Sequence, residues 1–246
     1  MAETRIVGSA FPTLELTLAP GEEVVVDPGR IGWYEPSVRL HTGTGPTRRG
    51  GLLGAAARRL GGGRFRVTTV RGPGLVALAA AVPGHILPLR LEQGEAMLVH
   101  EHAVLAYEAS VRVGLGFQHR FRAGAWGGTG FVLQRVEGPG TAWLAFGGDP
   151  VEYHLERGEA LEVHPGFVAG FDHRMRFSLA PVASVSTVLF GETGLYMAHL
   201  SGPGRVILQS WSIPQLAGVL TRFWNPVGTD NPRASMRKRS RSSRVW

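Results

Sequence analysis

Two histidines, His100 and His102, stand two residues apart, and Glu108 follows closely. Imidazoles at i and i+2 share one face of a strand, and with a later carboxylate they form a donor set suited to a transition-metal ion. A second candidate is electrostatic. From Arg233 to the end run six cations (Arg233, Arg237, Lys238, Arg239, Arg241, Arg244) and no acid. Such a segment can bind nucleic acid or anionic lipid by counterion release, with Trp246 available to stack or insert. Other chemistry finds no footing. There is no cysteine, so thiolate ligands, cysteine nucleophiles and disulfides are excluded. No glycine cluster continues into Gly-Lys-Ser/Thr, and Ser9, Ser110, Ser178 and Ser210 lack a glycine-flanked nucleophile elbow. Glu101 beside His102, and Asp172 beside His173, are sequence neighbours, which on a strand point to opposite faces.

The elements that would position these residues recur. Gly-Glu followed by apolar alternation occurs at Gly21, Gly94 and Gly158, and Gly-Pro-Gly closes each unit at Gly72, Gly138 and Gly202. The two markers are 44 residues apart in the second and third units and 51 in the first, which carries an insertion around 42–63. Fourteen residues after each first glycine an aromatic-acid pair appears: Tyr34-Glu35, Tyr107-Glu108 and Phe171-Asp172. Short β-branched and aromatic runs punctuated by 35 glycines and 16 prolines predict an all-β body, a β-sandwich or double-stranded β-helix of three degenerate repeats. Each unit reads as three strands joined by turns. The expected organisation is a single β domain over 1–231, with units of about 5–80, 81–146 and 147–213, a helix over 214–223, and a disordered basic tail over 232–246. Ser212 as N-cap and Pro214 in the first turn support the helix, which should dock on the body. A second short helix is expected over 52–60.

The repeat weighs on the metal candidates. Residues matching His100 are Asp27 and His164, and those matching His102 are Gly29 and Gly166, so only the middle unit carries the pair. Gly94, His100, His102, Glu108 and Gly114 resemble the first metal motif of cupins, with the glutamate too far along. An acid at the Glu108 position in every unit points to a turn cap or an ion pair. The expectation is therefore no catalytic residue and no cofactor, with His100, His102 and Glu108 as the metal candidates.

Charge and hydropathy set the remaining bounds. Removing the six tail cations from 26 leaves 20 against 19 acids in residues 1–232, so the net charge of +7 resides almost wholly in the tail. The anion-binding candidates are accordingly Arg237, Lys238, Arg239, Arg241 and Arg244. The longest strongly apolar run, 75–82, is far shorter than the ~20 residues of a membrane-spanning helix. The first residues alternate like a strand rather than a signal peptide, and a cytoplasmic location is expected. The loop 50–54, apolar and flanked by arginines, is expected to tuck into the first unit, a membrane or subunit contact being the alternative.

Four separated stretches resemble one family: Ile6-Val7-Gly8-Ser9 to Leu16, Pro20-Gly21-Glu22, Arg49 to Gly54, and Gly202 to Ser210. They resemble the Aim (altered inheritance of mitochondria) family of tryptophan-RNA-binding-attenuator-like proteins, over residues 5 to 223. The resemblance implies pseudo-threefold β architecture, a tendency to homo-oligomerise and no established enzymatic activity. Mitochondrial members are linked with inner-membrane organisation, whereas this chain looks like a bacterial relative. The expected function is a non-enzymatic, homo-oligomeric scaffold for a protein or membrane-surface partner. Nucleic-acid binding through the tail and a cupin-like metalloenzyme are the alternatives.

Overall fold

Residues 13–18 read Thr-Leu-Glu-Leu-Thr-Leu, and this alternation buries Leu14, Leu16 and Leu18 on one face of a strand while the threonines and Glu15 face outward. The same logic builds the whole chain. The computed structural model describes residues 2–44, 66–119, 130–181 and 196–213, together with 215–217 and 220. Strand β1 (Glu3–Val7) leads into the first unit: β2 (Thr13–Leu18), β3 (Glu23–Val26), β4 (Ile31–Tyr34), β5 (Arg39–Thr44), β6 (Arg66–Arg71) and β7 (Gly74–Ala79). The second comprises β8 (Gly84–Leu91), β9 (Ala96–His100), β10 (Val104–Glu108), β11 (Arg112–His119), β12 (Phe131–Glu137) and β13 (Gly140–Gly147). The third comprises β14 (Pro150–Leu155), β15 (Ala160–Val163), β16 (Val168–Asp172), β17 (Arg176–Pro181), β18 (Tyr196–Ser201) and β19 (Gly204–Gln209).

Each unit thus has six strands where three were expected. The strands missed are the third and fourth of each unit and, in the second and third units, the first. The third begins directly after a tight turn and carries a bulge, between Ile31 and Trp33, Val104 and Ala106, and Val168 and Gly170. A bulge interrupts the period of two on which strand recognition rests.

All strand pairings among the described residues are antiparallel, in four sheets with orders β1-β2-β7-β4, β5-β6-β3-β10-β13-β8, β11-β12-β9-β16-β19-β14 and β15-β18-β17. The two six-stranded sheets are made by two units each. The second strand of one unit pairs with the third strand of the next, β3 with β10 and β9 with β16.

Three apolar cores lie between successive sheets. Val24 and Val26 of β3 enter the first core and Val25 the second, so the strand is buried on both faces. Strand β13 does the same, with Trp143 in the first core and Ala142, Leu144 and Phe146 in the second. Its nearly unbroken apolar sequence follows from that position. The third core gathers Phe131, Phe171, Leu200 and Val206.

Residues up to 214 form one compact unit and 215–246 another. Of the helix expected over 214–223, residues 215–217 and 220 are helical, as is 213 before it, and the rest lies outside the described residues, as do the expected helix 52–60, the loop 50–54 and the basic tail. No helix among the described residues is long and apolar enough to cross a membrane.

Candidate functional site

Strand β9 ends at His100, and the chain then turns, with Ala103 N–H donating to the His100 carbonyl at 2.9 Å. The corresponding turns close between Arg30 and Asp27 at 3.0 Å and between Phe167 and His164 at 2.9 Å. In all three, the side chain of the first turn residue accepts the backbone N–H two residues on. Asp27 Oδ1 accepts from Gly29 at 3.0 Å, His164 Nδ1 from Gly166 at 3.3 Å, and His100 Nδ1 from His102 at 3.4 Å. The imidazole bonds are longer than the carboxylate one, as expected of a neutral acceptor.

This geometry corrects the sequence reading of a histidine pair on one strand face. His102 stands in the turn, not on β9, with its ring centroid 5.5 Å from that of His100. Because Nδ1 of His100 accepts, its proton sits on Nε2, and neither nitrogen keeps a free lone pair. Loss of hydration, reinforced by His102, lowers the His100 pKa to about 4 and holds the ring neutral. Burial lowers that of His164 as well. His102 Nε2 lies 3.6 Å from Glu101 Oε1. The turn therefore brings together two neighbours that a continuous strand would have set on opposite faces.

Glu108 faces the Gly-Pro-Gly corner instead of the histidines. Its Oε2 accepts the N–H of Thr141 at 2.8 Å, as Glu35 accepts that of Leu75 at 3.0 Å and Asp172 that of Arg205 at 2.8 Å. The acid thus ties the end of its strand to the start of the last strand in the unit. The last glycine of the corner is required on two counts. Gly140 has φ of 130°, and a Cβ there would stand 2.8 Å from Glu108 Oε2 and 2.5 Å from Ser110 Oγ. The Gly-Pro bonds at 72–73, 138–139 and 202–203 are all cis.

The Gly-Glu glutamates have an equally local task. Glu22, Glu95 and Glu159 each accept the backbone N–H three residues back, at Ala19, Glu92 and Glu156, over 2.9, 2.8 and 2.7 Å. Elsewhere charge is paired on surfaces. Arg205 clamps Glu152 through two nitrogens, and Arg112 and Arg135 share Glu137, whose pKa the Arg112 hydrogen bond lowers. Among the described residues no three His, Asp or Glu side chains are grouped to hold a metal ion. Arg237, Lys238, Arg239, Arg241 and Arg244 lie outside the described residues.

Several large apolar side chains are exposed on edge strands. Trp33 and Tyr34 on β4 are 52% and 46% exposed, and Val151 and Tyr153 on β14 also face solvent. Sequence reasoning missed these residues. The only signal was that Trp33 stands where the other units have Ala106 and Gly170.

Comparison with known proteins bears on the fold. A crystal structure of a protein from Streptococcus pyogenes superposes with a TM-score of 0.71 at 22% identity, covering 91% of this chain and all of that one. That likeness shows a shared fold. No curated protein matches the chain. The model of the mitochondrial biogenesis AIM24 family matches residues 4–211, the whole span of the three β units, and the chain belongs to that family.

Proposed function

We propose that the protein is a non-enzymatic, homo-oligomeric scaffold that presents its β-units to a protein or membrane-surface partner. One observation carries this reading: most of the polar side chains that could have done chemistry, His100 and Glu108 among them, are engaged with their own backbone. His100, Glu108 and Glu95 use acceptor atoms on turn and corner N–H groups, and the equivalent residues of the other units do the same. A catalytic group needs a free lone pair or proton aimed at a substrate position. Rigid corners and exposed edge aromatics suit association instead.

The test combines elemental analysis of chelator-dialysed, tag-free protein with light scattering. A metal-free assembly whose mass is a multiple of 26.5 kDa is expected. One stoichiometric transition metal per chain, lost in His100→Ala and His102→Ala, would overturn the reading in favour of a metalloenzyme. A second reading, nucleic-acid or anionic-surface binding, rests on the concentration of nearly all the net charge in the tail.

A further inference from the structure

Among the described residues, two strand edges lack the partner that their counterparts have. Within the chain, the second strand of each unit is joined to the third strand of the next, first as β3 with β10 and then as β9 with β16. The registers are equivalent: Val26, Val25 and Val24 face Ala106, Tyr107 and Glu108, and Val99, Leu98 and Met97 face Gly170, Phe171 and Asp172. Among the described residues, the third strand of the first unit, β4, pairs only with β7, and the second strand of the third unit, β15, pairs only with β18. Leaving aside β1, which adds a fourth strand beside β2, each of these two sheets therefore matches one half of a six-stranded sheet. Sheet β15-β18-β17 corresponds to β9-β12-β11, and β4-β7-β2 corresponds to β16-β19-β14.

Burial follows the same division. At the internal junctions Tyr107 and Phe171 are 3% and 0% exposed, whereas Tyr34, in the same register against β7, is 46% exposed. On the other side, Val24 and Val25 are buried and their counterparts Leu161 and Glu162 are half-buried and exposed. Residues at positions built for a sheet interior thus stand at an open edge, a setting that templates pairing with another chain.

We propose that β15 of one copy pairs antiparallel with β4 of a second copy, completing between chains the six-stranded arrangement made twice within each, with β1 as a seventh strand beside β2. This rests on the oligomeric reading above and names its interface. The internal junctions set the register: Val163 opposite Trp33, Glu162 opposite Tyr34 and Leu161 opposite Glu35. Because the two edges differ, association is head-to-tail, not twofold. Trp33 becomes an aromatic anchor of the kind that dominates interfaces.

The chain has no cysteine, so single replacements report cleanly. Opposed residues of an antiparallel pair lie about 5 Å apart at Cα, within reach of a disulfide. Tyr34→Cys and Glu162→Cys variants of the full chain, co-expressed and mildly oxidised, should cross-link to each other, while neither cross-links when expressed alone. In β3 the outward N–H at Asp27 donates to the Leu105 carbonyl, and alternation turns that of Val25 the same way, so its counterpart Glu162 also points outward. Glu162→Pro deletes that donor and should reduce the mass from a multiple of 26.5 kDa to one chain, with an unchanged circular-dichroism spectrum. A monomeric wild-type protein overturns both the oligomeric reading and this interface. An oligomer that forms no disulfide between positions 34 and 162, links like variants to each other, or keeps its mass as folded Glu162→Pro overturns the interface alone.

Discussion

His100 caps a turn as a neutral imidazole, and that state has a cost in acid. Its folded pKa of about 4 lies below the ordinary value of 6.5, so between these two pH values the unfolded chain binds the extra proton. The stabilisation is fully present above pH 6.5 and is lost progressively as pH falls to about 4, by at most about 3 kcal/mol. His100→Asn keeps an acceptor and removes the titration. Urea denaturation of both proteins from pH 7 to 4 should show a shallower loss of stability in the variant. Glu108 predicts a different dependence. Its partner, the Thr141 N–H, is buried, so Glu108→Ala should cost about 1–3 kcal/mol in urea denaturation. Glu35→Ala, whose bond is solvent-exposed, should cost less than Glu108→Ala in the same measurement.

At the scale of the element, the recurrent corners depend on glycines for unequal reasons. Gly140 combines positive φ with a close approach of Ser110 and Glu108, so Gly140→Ala should lower stability by more than about 2 kcal/mol. Gly94 also has positive φ, 83°, yet a Cβ there would meet nothing within 4 Å, so Gly94→Ala should cost only about 1 kcal/mol. Thermal denaturation of the two variants checks the order. The markers legible in the sequence, Gly-Glu and Gly-Pro-Gly, are these corners. The strands between them were half legible. The alternation of β2 announced a one-sided strand, whereas the bulged β4, β10 and β16 carried no clean period.

At the scale of the molecule, the described residues of the β body form four sheets alternating with three cores, and each six-stranded sheet is shared by neighbouring units. Stability is therefore coupled along the chain, and a defect at the β3–β10 junction would weaken two units together. The net charge belongs to a different part of the chain. Deleting residues 233–246 removes six cations and leaves a formal charge of +1. If the tail binds polyanions, the truncated protein should lose salt-sensitive retention by single-stranded RNA and by anionic vesicles in fluorescence anisotropy and flotation assays, while its light-scattering mass stays unchanged. Retained binding would place the anion site in the β body.

The sequence alone determined the all-β class and the corner positions. Turn glycines, cis-capable Gly-Pro steps and short apolar runs act over a few residues, so local spacing displays them. It also identified Asp27 and His164 as counterparts of His100 and placed an acid at the Glu108 position in each unit. Tertiary structure decided what these residues do. Whether the lone pair of Glu108 is available depends on an N–H 33 residues away, and whether Tyr34 is buried depends on a second partner strand for β4, which the described residues do not supply. Both are pairings between distant segments. The same aromatic-acid motif is a core position in two units and an open edge in the first because burial belongs to the partner strand, not to the residue.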